Sequence, residues 1–118
     1  MGRDFKNIKA WKHADALALA IYTDTKSFPR EELYGIVSQL RRAAISAPAN
    51  IAEGASRKHE KEYLNFLYIA KGSLAEIEYL FHISKQLAYL NEEKYIKLEK
   101  LRMEAAKTLS GLIDAVDK

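Results

Sequence analysis

The chain has 118 residues, 48% of them apolar and 30% charged, with two prolines and five glycines, the balance of one folded, helix-rich domain over 1–118 rather than of a disordered segment. It has no cysteine, which excludes a disulfide framework and any Cys-ligated zinc or iron–sulfur centre. The formal charge of +3 comes from the amino-terminal end: residues 1–30 hold six Lys/Arg against three Asp, and residues 31–118 hold thirteen of each sign. That bias permits contact with a polyanion without requiring it.

The first residues carry no apolar leader core or myristoylation signal, and no run approaches the ~18 apolar residues of a membrane span. A cytoplasmic location with no membrane partner is the expectation.

Taken in chain order, the first periodic segment runs from about Lys9 to Lys26, with Ala14, Leu17, Ala18, Ile21 and Thr25 on one helical face. Phe28-Pro29 ends it, because the residue before a proline is pushed out of helical geometry. The second segment is expected from Arg30, with Glu31 and Glu32 at the favourable end of its dipole and a stripe of Leu33, Ile36, Val37, Leu40, Ala44, Ala47, Ile51 and Ala55. Pro48 removes the amide that would bond the Ala44 carbonyl, so a kink is expected there, but the apolar register continues past it.

The third segment, about Lys58 to Leu90, aligns Tyr63, Phe66, Leu67, Ala70, Leu74, Ile77, Phe81 and Ser84, widened by Leu64, Leu80 and Leu87. Gly72 lies inside it at a cost of about 1 kcal/mol against Ala, for which close approach of a neighbouring helix is the expected return. Asn91 reads as the N-cap of a fourth helix with Glu92 and Glu93 in its first turn and a stripe of Tyr95, Leu98, Leu101, Ala105, Leu109, Leu112 and Val116. Four amphipathic helices on short links define an all-α fold, an antiparallel up-down-up-down four-helix bundle with its second helix kinked at Pro48. The first helix is expected to be several turns shorter than the second and third. Apolar surface left uncovered there, with Tyr22, Tyr34, Tyr68, Tyr79 and Tyr89, points to self-association.

Chemistry-bearing patterns are sparse. A di-iron carboxylate bundle needs Glu-x-x-His, which this chain lacks. Glu78 and His82, one turn apart, read as a surface hydrogen bond rather than a metal pair, and no nucleophile elbow, phosphate loop or dinucleotide fingerprint is present. No catalytic, cofactor or metal residue is therefore assigned, and no enzyme activity is expected. Asn50, Glu53 and Arg57 form a polar group in which Glu53 and Arg57 have ion-pair spacing, and Asn50 and Glu53 are expected to satisfy groups loosened at Pro48, with Gly54 allowing close packing. Arg3, Lys6, Lys9 and Lys12 recur at every third position, and Arg57, Lys58 and Lys61 cluster between the second and third helices. These seven are the candidate nucleic-acid-binding residues.

The stretch Gln39-Leu40-Arg41-Arg42-Ala43-Ala44-Ile45-Ser46-Ala47-Pro48-Ala49-Asn50-Ile51-Ala52-Glu53-Gly54 resembles the 23S rRNA intervening-sequence protein family, also called the four-helix bundle protein family. Phe28-Pro29, Glu32 and Tyr34-Gly35 upstream and Ala70-Lys71-Gly72-Ser73-Leu74-Ala75-Glu76 downstream extend the resemblance over nearly the whole chain. Ala47 and Ala49 depart from the larger aliphatic and the Ser associated with the positions flanking Pro48. The resemblance implies a homopentameric barrel of four-helix subunits. It reaches to the accessory variability determinants of diversity-generating retroelements, which bind nucleic acid and a reverse transcriptase. Arg41, Arg42, Asn50, Glu53, Gly54, Gly72, Ser73 and Glu76 match the family motif and read mainly as determinants of fold or assembly. The leading expectation is a non-catalytic oligomer that binds structured RNA, or an RNA-handling protein, through its basic surface. The alternative is a protein-interaction scaffold with no nucleic-acid role.

Overall fold

The computed structural model describes residues 3–118; Met1 and Gly2, which open the segment read above for a leader, lie outside them. Four helices, α1 (Lys9–Asp24), α2 (Ile36–Ala55), α3 (Glu60–Gln86) and α4 (Glu92–Val116), form a four-helix bundle with no strand among the described residues. Each of α1 and α3 packs against both α2 and α4, while the diagonal pairs scarcely touch. No helix among the described residues is long and apolar enough to cross a membrane.

The apolar stripes lie where the periodicity puts them. Leu17 and Ile21 of α1, Leu40 and Ile51 of α2, Leu67, Ile77 and Phe81 of α3, and Leu98 and Leu109 of α4 are all essentially fully buried, each stabilising the fold by about 1.5–3 kcal/mol through apolar burial. Thr25, just past α1, joins them by donating its hydroxyl proton to the Ile21 carbonyl at 2.7 Å. Pro48 sits buried inside α2, which runs through it without a break.

The ends of the helices depart from expectation. Arg30–Glu32 is a 3₁₀ turn rather than the start of α2, held by i to i−3 bonds from Glu32 to Pro29 and from Leu33 to Arg30. Three residues per turn instead of 3.6 carries the pattern out of phase, and Leu33 is left 44% exposed. Glu32 acts one turn later than expected. Its carboxylate accepts the Ile36 amide at 3.4 Å and the Tyr89 hydroxyl at 2.8 Å. With that turn removed, α2 has 20 residues against 16 for α1, about one turn of difference rather than several, whereas α3 with 27 residues is about three turns longer than α1, as expected.

At the other end of the bundle's long helix, α3 stops at Gln86 and leaves Leu87 exposed. Ala88 adopts a φ of 63°, the left-handed region that non-glycine residues enter at a cost. The amides of Ala88 and Tyr89 then turn back to the Lys85 and Ser84 carbonyls, closing the helix as a Schellman-type cap. Asn91 caps α4 as its sequence suggests, its side-chain oxygen accepting from the Lys94 amide at 2.8 Å.

Two helical glycines behave in opposite ways. A Cβ on Gly54 would lie 2.7 Å from Phe66 Cβ and 3.0 Å from Tyr63 Cδ1, so α2 and α3 approach there too closely for a side chain. Gly72, for which close approach was expected, meets nothing within 4 Å: it faces away from the other three helices. Gly54→Ala should therefore destabilise the chain by about 1–3 kcal/mol through overpacking, whereas Gly72→Ala should stabilise an isolated chain by about 1 kcal/mol through helix propensity. Denaturant midpoints of the two variants measure both signs, and a stabilised Gly54→Ala would remove the packing argument.

Candidate nucleic-acid interface

The amino-terminal segment is folded back onto the bundle. Asp4 accepts the Lys6 amide at 3.1 Å and starts a 3₁₀ turn over Phe5–Asn7, and Phe5 packs edge-on to Trp11 with ring centroids 5.0 Å apart. This turn contacts both α1 and α2. Arg3 completes the attachment by donating to the Arg57 carbonyl at 3.0 Å and the Ala55 carbonyl at 3.4 Å. The Ala55 carbonyl ends α2 and the Arg57 carbonyl lies two residues beyond it, where helical C=O groups lack partners and a cation is favoured by the dipole.

Arg3 also lies over the buried Tyr63 ring, 4.2 Å from its centroid, and Arg57 lies 4.9 Å from the centroid of Phe66 while pairing with Glu53 at 3.0 Å. Such cation–π contacts contribute about 0.5–1 kcal/mol at exposed sites. The Glu53–Arg57 pair has the spacing expected of it, and both side chains are half exposed, so it adds only a few tenths of a kcal/mol.

The seven candidate basic residues thus divide. Arg3 and Arg57 meet at the α2–α3 connection and hold it together, whereas Lys6, Lys9, Lys12, Lys58 and Lys61 are exposed and make no ion pair among the described residues. The role of Arg3 as a clasp was not legible, since nothing in a three-residue spacing indicates a partner more than fifty positions away.

A second polar feature lies between α2 and α3, a groove of about 420 Å³ lined by Gln39, Arg42, Ser46, Ser73 and Glu76. At its floor Ser73 Oγ is 2.8 Å from Ser46 Oγ, and the Asn50 amide donates to the Ser46 hydroxyl at 3.1 Å and carbonyl at 2.8 Å. Asn50 therefore serves Ser46 and not the Ala44 carbonyl freed by Pro48, and Glu53 serves Arg57. Ser46 was missed by sequence reasoning, although its spacing of four from Asn50 is the signal that reveals it.

Glu78, considered with His82, turns instead to α4. It lies 3.5 Å from Arg102, which is buried and makes a two-pronged bond to Glu99 at 2.7 and 2.9 Å. The bond to Glu99 pushes the Arg102 guanidinium above its already high ordinary value, so this charge is permanent. No group of three His, Cys, Asp or Glu suited to a metal occurs among the described residues.

The model of the 23S rRNA-intervening sequence protein family matches residues 6–111. The chain belongs to that family. A similar solved structure is a protein of unknown function from the S23 ribosomal protein family of Bacteroides thetaiotaomicron. It is 24% identical with a TM-score of 0.82, covering 89% of this chain and 95% of that one, and it supports the same fold. No curated protein matches. Within the family framework, motif residue Gly54 is a packing position, and Asn50 and Ser73 build the polar α2–α3 seam. Arg41 joins α2 to α1 through Thr25 and Tyr22. Arg42 and Glu76 remain on the groove walls.

Burial raises the Tyr63 phenol above its ordinary value of about 10, with Arg3 opposing the shift. A phenol whose folded value is raised contributes stability that is complete below the unfolded value and is lost as pH climbs through the folded one. Stability should accordingly fall above pH ~10, and less steeply in Tyr63→Phe than in the parent chain. Denaturant midpoints across that range check this, and equal slopes would contradict it.

Proposed function

We propose that this protein is a non-catalytic, self-associating helical bundle that binds structured RNA through its basic end. One observation carries the reading: the Arg3 bonds to the Ala55 and Arg57 carbonyls bring the amino-terminal basic segment to the α2–α3 connection. Lys6 and Lys9 then share one end of the bundle with Lys58 and Lys61, and none of these spends its charge on a carboxylate among the described residues. Exposed lysines of this kind suit phosphate contacts, which give affinity and salt dependence without base specificity. The family's name supplies the link to an rRNA.

Self-association, as the pentamer implied by the family resemblance, is part of this proposal. Its support is the outward face of α3, where Tyr68, Ile69 and Tyr79 are exposed around the open Gly72. Repeating the basic end across subunits would strengthen weak single contacts through multivalency. A second reading, a protein-interaction scaffold, is favoured by a shallow apolar groove of about 490 Å³ on α4 lined by Tyr95, Ile96 and Met103.

Titration of nuclease-treated protein against structured rRNA fragments and an unrelated RNA over a salt series, with solution mass recorded alongside, tests the proposal. Reversing Lys9, Lys58 and Lys61 to Glu should weaken binding at least about tenfold near 0.1 M salt and flatten the salt dependence, with helical content unchanged. Full retention of affinity in that variant would reject the assigned surface. No binding at low salt by a folded oligomer would favour the scaffold.

A further inference from the structure

A cavity of about 350 Å³ lies where the end of α1 meets the start of α2, at the opposite end of α1 from Lys9. Its apolar lining is built from the buried Phe28 and Val37 and the part-exposed Leu33, and its cationic lining comes from Lys26, Arg30 and Arg41. No carboxylate lines it. The acids nearest in sequence are engaged elsewhere or lie outside the lining: Asp24 lies 2.7 Å from Lys97 Nζ, Glu32 accepts from the Tyr89 hydroxyl and Ile36 amide, and Glu31 is exposed and not among the lining residues.

Arg41 is the informative member. It is half-buried, and its guanidinium is fixed by neutral acceptors only: Nε donates to Thr25 Oγ1 at 3.0 Å and an Nη2 proton goes to the Tyr22 carbonyl at 3.3 Å. The Tyr22 ring lies 4.9 Å from its centre. No carboxylate pairs with Arg41 among the described residues. A guanidinium has five N–H donors, and the two bonds in place orient the group while leaving donors for a further acceptor. A partly buried cation without a counter-ion, set at the wall of an apolar cavity with two more cations in the lining, is complementary to an anion that carries an apolar body.

We infer that this cavity binds a small apolar carboxylate, its tail on Phe28, Leu33 and Val37 and its carboxylate on Arg41, with Lys26 and Arg30 adding charge from the exposed side. Ligand cavities begin at about 300 Å³, which limits the occupant to on the order of ten heavy atoms. The site is independent of the RNA reading, because it uses none of the lysines assigned there.

The test uses the full chain labelled at its Leu and Val methyls, with sodium octanoate, octylammonium chloride and inorganic phosphate as probes. Octanoate should give saturable shifts centred on Leu33 and Val37, octylammonium at equal concentration none, and phosphate at least tenfold weaker binding because it cannot use the apolar lining. Arg41→Gln should weaken octanoate at least tenfold. Since that change also loosens the α1–α2 junction, the double variant Lys26→Gln/Arg30→Gln is measured beside it; neither side chain hydrogen-bonds elsewhere in the fold among the described residues, and a several-fold loss is expected. Absence of saturation, equal binding of the amine, shifts centred elsewhere, or unchanged affinity in the double variant would each overturn the inference.

Discussion

At the crossing of α2 and α3 the Gly54 backbone lies so close to Phe66 and Tyr63 that no side chain fits between them. The α2–α3 connection is built around this contact. The two residues that crowd Gly54, Tyr63 through its ring and Phe66 through its Cβ, also carry the two guanidinium groups of the connection, Arg3 over Tyr63 and Arg57 over Phe66. The close approach thus brings Tyr63 and Phe66 to the end of α2, their rings seat two arginines, and Arg3 ties the amino-terminal segment to that connection.

Farther along the same pair of helices the contact changes character. Ser46, Ser73 and Asn50 replace ring packing with a short chain of hydrogen bonds, and the helices open into the groove walled by Arg42 and Glu76. The Ser73–Ser46 bond crosses between the helices and favours one register of the pair, since sliding either helix would leave the buried Ser73 hydroxyl without Ser46, while Asn50 holds Ser46 from within α2. The α1–α2 junction uses a related device, with Arg41 reaching carbonyl and hydroxyl oxygens at the carboxyl end of α1. Two residues that match the family motif, Arg41 and Ser73, thus each bond across a pair of neighbouring helices.

The helices and their buried faces were legible because apolar residues at three and four residue steps have only one way to be buried together. The helix ends were less so. Leu33 continues the periodic pattern of α2 but belongs to a 3₁₀ turn with a different period, and Leu87 continues that of α3 past a reversal made by Ala88, a residue type that gives no turn signal. Gly72 was misread because a glycine in a helix reports either a close neighbour or none, and the sequence does not distinguish them. Of the candidate interface, the exposed lysines were visible as a charge pattern. The clasp that brings Arg3 to the α2–α3 connection depends on three-dimensional proximity of residues 3, 57 and 63, which no local spacing encodes.

The basic end exists as one surface only if the amino-terminal segment is held at that connection in solution. The absence of cysteine allows two nitroxide labels to be placed cleanly, at Lys6→Cys and Lys58→Cys, and the distance between them measured by pulsed electron–electron double resonance. With the labelled chain diluted into excess unlabelled protein, so that only the within-chain distance is read, a single narrow distribution in the parent background that broadens when Arg3 is changed to Ala is the predicted result. A distribution already broad with Arg3 in place, or one that Arg3→Ala leaves unaltered, would contradict it.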